Sequence, residues 1–305
     1  MAYIEKKVLS SDGYHRLAGR VFLPKGEIRG IFQVAHGMTE HLGRYERFME
    51  RLAEEGYLAC GYDHIGHGNT ATSEEELGYF AKKNGWRLLC RDIATFAEAI
   101  RNEYGKNLPY ILMGHSMGSF IARLAARHYC RPDALIVMGT AGPNPASGMG
   151  IALSSALCAL SGERKRAGFL RSLAFGSYNK RFADENDSKS WLTKDEEIRR
   201  IYKEDAFCNF YFTNSGMRDL MTLLHKSNST DWFTKIDKSL PILLVSGADD
   251  PVGGFGKGVK AVYNKLKSAG ANVTLKLYKE CRHEILNDTC RDEVITDILV
   301  FIKDM

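Results

Sequence analysis

The feature that most constrains this chain is a set of short segments that are apolar at nearly every consecutive position. They are Gly30–Ala35, Tyr57–Tyr62, Tyr110–Met113, Ala134–Met138 and Ile242–Val245. A strand reads this way when helices cover both faces of its sheet, so that neither face meets water. Val273–Tyr278 supplies a last strand of the same series. Between these runs lie helical patterns at about Arg44–Glu55, Arg87–Tyr104, Ser116–His128, Gly258–Ala269 and Asp288–Phe301, with Gly56 and Gly105 where helices would stop. Ile4–Leu9 and Leu17–Leu23, joined across Asp12-Gly13, read as an antiparallel start. The alternation predicts an α/β fold with a mostly parallel sheet of about eight strands flanked by helices.

The rhythm breaks after Gly139. From Gly142 to Phe233 the pattern is helical, with Pro143-Asn144-Pro145 at its entrance, and the strand pattern resumes at Pro241. The expected organisation is a core at residues 1–141 and 234–305, with residues 142–233 inserted as a helical cap. A chain of 305 residues has room for both.

Composition removes several function classes. The 42 basic and 37 acidic residues give a net charge of +5, and no run of like charge forms a nucleic-acid surface. The seven cysteines show no CxxC spacing, so no disulfide framework is expected and a reducing compartment is the better reading. The first residues lack the apolar core of a signal peptide, and the most apolar stretch, Gly148–Leu160, is too short to span a bilayer. The expectation is a soluble, cytoplasmic protein. No phosphate loop or dinucleotide fingerprint is present, so no cofactor is expected. His64 and His67 lack helical spacing and a third ligand, and read as a hydrogen-bonded loop rather than a metal site.

The chemistry resides at Gly114-His115-Ser116-Met117-Gly118. This G-x-S-x-G directly follows the strand at Tyr110–Met113 and directly precedes the helix at Ser116–His128. So sharp a turn strains the serine and exposes its hydroxyl at the end of the sheet. A serine hydroxyl needs a base. Of the nine histidines, only His225 and His283 follow the serine's helix. His225 falls in a helical LMTLLHK pattern within the insertion and reads as a partly buried structural imidazole. His283 lies in the loop after the last strand, where it can reach the nucleophile. The acid should follow the penultimate strand, where Asp249 and Asp250 are adjacent; the spacing Gly-x-x-Asp-Pro-Val favours Asp250. The glycine turn His36-Gly37-Met38 after Gly30–Ala35 offers the backbone N–H of Met38, which with that of Met117 would form an oxyanion hole.

HGMTEHLGRY at 36–45, YDHIGHGNT at 62–70, GHSMG at 114–118, the GADDPVG block from 247 and RHEILND at 282–288 resemble, over nearly the full length, an α/β-hydrolase of the monoacylglycerol lipase and lysophospholipase branch. The resemblance implies the same triad of Ser116, Asp250 and His283 and the same oxyanion amides. It also implies a small-molecule acyl ester as substrate, a monoacylglycerol or lysophospholipid first. A short-chain or aryl carboxylesterase and an aminopeptidase of related fold are the rivals; the latter would need acidic groups such as Glu196, Glu197, Glu204 or Asp205 for a free amine. A non-catalytic binding protein is the remaining alternative, and it is disfavoured because no triad member is missing. Met149–Leu160 reads as a cap helix that either packs inward or makes transient contact with an acyl chain or membrane.

Overall fold

A computed structural model describes residues 3–303. Eight strands form one sheet: β1 (Ile4–Leu9), β2 (Arg16–Phe22), β3 (Gly30–Ala35), β4 (Tyr57–Tyr62), β5 (Tyr110–His115), β6 (Ala134–Met138), β7 (Ile242–Gly247) and β8 (Val273–Tyr278), in the order β1-β2-β4-β3-β5-β6-β7-β8. The β1–β2 and β2–β4 pairings are antiparallel, and every later pairing is parallel. The expected sheet is therefore present, each strand lying within two residues of its expected bounds.

Side chains of the central strands point alternately to two apolar layers. Ile31, Leu112, Leu135, Val137 and Leu244 face α2 (Gly85–Tyr104), α3 (Met117–His128) and α9 (Lys257–Ser268). Phe32, Met113, Ile136, Met138 and Val245 face α1 (Glu46–Glu54) and α10 (Arg291–Lys303). Burying each such side chain contributes about 1.5–3 kcal/mol, which is why the runs are apolar at nearly every position. The polar exception in β3, Gln33, accepts from the Tyr110 hydroxyl at 3.0 Å and donates to the Ile93 carbonyl at 3.3 Å.

Two helix boundaries differ from the sequence pattern. The first turn of the helix expected from Arg44 is a 3-10 turn at Leu42–Tyr45, capped by His41 Nδ1 accepting from the Gly43 N–H. The last helix begins at Arg291 instead of Asp288, because the Asp288 carboxylate accepts from the N–H groups of Arg282, Lys194 and Thr289. Although no disulfide framework was expected, one pair of cysteines is bonded, and the other five are free. Cys281 and Cys290 form a disulfide, brought to a Cα separation of 6.5 Å by the fold-back of the loop after β8. A spacing of nine residues carries no sign of that fold-back.

Between β6 and β7 the chain forms α4 (Ser147–Ser161), α5 (Gly168–Phe175), α6 (Glu196–Glu204), α7 (Asn214–Ser227) and α8 (Thr230–Lys235). Arg123 of α3 anchors the end of this region. Its guanidinium is fully buried, stacks 4.2 Å from the Trp232 ring centroid, and donates to Thr140 Oγ1, the Ser227 carbonyl and Asn228 Oδ1. Burial lowers its pKa to about 9, which still leaves it charged at neutral pH.

Asp219 of α7 accepts from the N–H groups of Trp86 and Gly85 at the start of α2, yet its Oδ2 has no hydrogen-bond partner. Burial raises its pKa from 3.8 to about 7, against the lowering effect of those two bonds. A carboxyl raised in the folded state binds its proton more tightly there, so stability falls as pH rises from about 4 through 7. Asp219→Asn should therefore raise the melting temperature at pH 8 by roughly 3 °C, and by only about a third as much at pH 5. Thermal melts at the two pH values check this.

Candidate active site

Every residue singled out for chemistry lies at the carboxyl ends of the parallel strands or in the loops that follow them. Ser116 joins β5 to α3 at φ 53°, ψ −120°, a conformation that a side-chain-bearing residue adopts only when its surroundings impose it. Its N–H donates to the Met138 carbonyl at 3.0 Å, and its own carbonyl accepts from Ser119 Oγ at 2.6 Å. The flanking glycines allow the approach. A Cβ on Gly114 would stand 2.1 Å from the Gly118 carbonyl oxygen, and one on Gly118 would stand 2.1 Å from that of Ala35. Ser116 is half-buried, and Met117 is the first residue of α3.

The turn after β3 lies directly against the serine: a Cβ on Gly37 would stand 3.0 Å from the Ser116 Cβ. Met38 follows in this turn, with Thr39 at φ 50°. His283, in the loop after β8, directs Nδ1 at Asp250 Oδ2 at 3.0 Å, and both side chains are buried. The other Asp250 oxygen accepts from the Val252 N–H at 2.8 Å, and Ser246 Oγ donates to Oδ2 at 3.3 Å. Asp249 points elsewhere, to Arg181 at 3.1 Å. The ring of His283 packs against that of His115, the residue before Ser116, with centroids 4.8 Å apart.

A group of residues not singled out from the sequence surrounds this pair. The ring of Trp191 lies 5.3 Å from that of His283 at an angle of 33°, and Tyr178 packs edge-on against Trp191. Burial and the nearby charge of Asp250 push the Tyr178 hydroxyl well up, so it stays protonated. Tyr202 donates to the Thr39 carbonyl at 2.9 Å, and Glu284 N–H donates to the Leu192 carbonyl at 2.8 Å. Beneath the site, Glu40 accepts from the Gly37 N–H at 2.5 Å, from the Tyr45 hydroxyl at 2.8 Å and from Arg44 at 3.1 Å, and lies 3.2 Å from His115 Nδ1. Trp191 sits where no periodic pattern marks it, and Glu40 and His115 were visible only as neighbours of motif glycines.

His36, His64 and His67 form a buried ring cluster beside the Gly37 turn. His36 Nδ1 donates to the Gly37 carbonyl and its Nε2 accepts from the His64 N–H; His64 Nε2 donates to the His36 carbonyl and His67 Nδ1 to that of Ile65. Burial lowers the pKa of His64 to about 3 and of His67 to about 4, and pulls His36 well down, so all three are neutral at pH 7. Asp63 closes the same loop by accepting from the N–H groups of Leu42 and Asn69. Among the described residues, potential metal-ligand atoms gather at His41, Asp205 and Cys208, within 4.8 Å of one another. His41 Nδ1 accepts from Gly43, which leaves the proton on Nε2, bonded to Asp205 at 2.8 Å. That is a complete hydrogen-bonded pair and needs no ion. His225 is exposed rather than partly buried, with Nδ1 3.0 Å from Ser147 Oγ. Phe210 and Phe212 pack on His67, with Phe212 in the core.

An open parallel sheet with a strained serine turn after β5, an acid after β7 and a histidine after β8 defines an α/β-hydrolase. Residues 26–290 match the model of the serine aminopeptidase S33 family, and the chain belongs to that family. It is 28% identical over 297 residues to a monoacylglycerol lipase of Mycolicibacterium smegmatis, covering 94% of this chain and 92% of that one. A thermostable carboxyl esterase from Bacillus coagulans, solved with glycerol, superposes with a TM-score of 0.92 at 32% identity, covering 100% of this chain and 99% of that one. A lipase in an open form gives 0.91 at 26%, covering 99% of each.

The closeness of Gly118 to β3 makes a specific demand on sequence. Gly118→Ala should destabilise the protein by about 3 kcal/mol, because the neighbour its Cβ would meet is backbone and cannot swing aside. Chemical denaturation of the variant measures the loss.

Proposed function

We propose that this protein hydrolyses carboxylic esters through an acyl-enzyme on Ser116, with His283 as general base and Asp250 holding the imidazole. The observation that supports this best is the buried Asp250–His283 pair, packed against the residue that precedes a strained, half-buried serine. The Nδ1–H is committed to Asp250, so Nε2 is the free basic nitrogen. In the first step His283 takes the Ser116 proton as the oxygen bonds to the acyl carbon. The backbone N–H groups of Met38 and Met117 receive the charge on the carbonyl oxygen. The C–O bond to the alcohol breaks as His283 returns the proton to it. In the second step water loses a proton to His283, attacks the acyl carbon, and the bond to Ser116 breaks with the proton returned to its oxygen.

The substrates we assign first are monoacylglycerols, lysophospholipids or similar acyl esters, a reading supported by the name of the mycobacterial relative. Residues 142–233 act in this reading as the helical cap that selects substrate, consistent with Trp191 lying on His283. The aminopeptidase alternative draws on the family's description, but its expected amine ligands are otherwise engaged. Glu197 and Glu204 pair with Arg200 at the surface, Asp205 pairs with His41, and Glu196 is 89% exposed.

We also assign transient lipid contact to the cap. Among the described residues no helix is long and apolar enough to cross a membrane. Met149, Leu160, Phe169 and Leu173 are nevertheless exposed on α4 and α5, and the segment joining these helices carries Arg164, Lys165 and Arg166. An apolar surface edged with cations suits an anionic lipid interface.

Four measurements check these proposals. Ser116→Ala should abolish fluorophosphonate labelling and lower ester hydrolysis by ~10⁶-fold, whereas labelling that persists would refute the nucleophile. Asp250→Asn should lower kcat by ~10⁴-fold, with Asp249→Asn within a few-fold of wild type, as read in the same ester assay. Leu160→Glu combined with Phe169→Glu should reduce sedimentation with phosphatidylglycerol vesicles about tenfold and leave hydrolysis of a soluble short ester unchanged. Rates across acyl chain lengths then separate a lipase-like enzyme from a short-chain esterase.

A further inference from the structure

The carboxylate of Glu40 links three of the segments that build the site, two directly and the third through Arg44. It accepts from the N–H of Gly37 in the turn that carries Met38. It lies 3.2 Å from Nδ1 of His115, the residue before Ser116. Through Arg44 it is joined to Glu284, the residue after His283: the guanidinium donates to Glu40 at 3.1 Å and to both oxygens of Glu284 at 2.6 Å. Tyr45 donates to Glu40 at 2.8 Å and places its oxygen 2.8 Å from the same His115 nitrogen. The other nitrogen of His115, Nε2, faces the backbone carbonyl of His283 at 3.3 Å.

The protonation of His115 follows from these contacts. Nε2 faces a carbonyl, which only accepts. Nδ1 faces a carboxylate and a phenol oxygen whose hydrogen is already given to that carboxylate. Both nitrogens therefore donate, and the ring is an imidazolium. Charge balance agrees, since two carboxylates and one guanidinium buried together leave one negative charge that the imidazolium neutralises. Burial opposes a charged ring, but the bond to Glu40 and its charge outweigh it and raise the His115 pKa, while Glu40 is held well below the usual carboxylate range.

We propose that Glu40 and His115 are positioning residues: the Glu40 carboxylate holds His115 as a two-sided donor, and His115 holds the His283 loop, through its backbone carbonyl, in register with Ser116 and the Gly37 turn. Neither residue touches the reacting atoms. The inference rests on the assignment of Ser116 and His283 made above. Its consequence is that kcat, which depends on the His283–Ser116 geometry, responds to Glu40, whereas ground-state binding does not.

The test is steady-state hydrolysis of a soluble short-chain ester, at a temperature where circular dichroism shows each variant folded. Glu40→Gln is expected to lower kcat ~30–100-fold with KM within about threefold. His115→Gln keeps an N–H donor that can reach the His283 carbonyl and should retain ~10-fold more activity than His115→Leu. Glu40→Gln added to His115→Leu should cost clearly less than the product of the two single losses, because the path through His115 is already broken and only the Glu40 bonds to Gly37 and Arg44 remain to be lost. A Glu40→Gln enzyme within twofold of wild-type kcat, or losses that multiply in the double variant, overturns the proposal. If Glu40→Gln does not fold, the two His115 variants decide alone, and equal activities reject it. Ser116→Ala serves as the control: activity surviving there refutes the triad, whereas a dead Ser116→Ala beside a normal Glu40→Gln refutes only the positioning role.

Discussion

The arrangement depends on a single backbone distortion. Ser116 occupies a region of φ/ψ space that costs of order 1–3 kcal/mol for a residue with a Cβ, and the surrounding structure has to enforce it. The enforcement comes from the sheet. β5 delivers the chain between β3 and β6, Met138 of β6 captures the Ser116 N–H, and α3 is pressed onto β3 so tightly that only glycine fits at 118. Two fully apolar layers keep that sheet rigid. The turn is thus stabilised by packing spread over the whole domain, and the energy of the core is focused on the placement of one hydroxyl.

Around that turn the problem becomes one of charge. Glu40, Arg44, His115, Glu284, Asp250 and His283 are all nearly or wholly removed from water, where an unpaired ion would be costly. Each is matched by a partner from a different loop. The interactions that satisfy them are therefore the same ones that hold the loops relative to one another. The neighbouring cluster of His36, His64 and His67 solves the same problem in the opposite way, by staying neutral and bonding to backbone carbonyls. The region between β6 and β7 reaches the site chiefly through Trp191, Leu192 and Tyr202, so changes there can alter the environment of His283 without disturbing the sheet.

Much of this was legible in order along the chain. Strands buried on both faces are apolar at nearly every position, and the five central strands lie where the runs place them. The glycines at 114 and 118 flag a close approach because no other residue fits. Helix ends were less legible where a side chain took over backbone bonds, as Asp288 does before α10 and His41 before α1. His225 was misjudged because a helical apolar pattern does not say which side of the helix meets solvent. The Cys281–Cys290 pair was missed because its proximity comes from a loop folding back, which leaves no trace in composition.

By itself the sequence determined the sheet, its helical covering and the order in which serine, acid and histidine candidates arrive at the sheet's edge, since these follow from local apolar patterning and from the steric demands of single residues. The tertiary structure alone decided that Asp249 is diverted to Arg181, that Trp191 lies on the ring of His283, and that Glu40 and Arg44 together link three segments beneath it. Those outcomes depend on side-chain directions at irregular loop positions distant in sequence, where neither helical nor strand periodicity applies. Only the closing of the packed core brings such positions together.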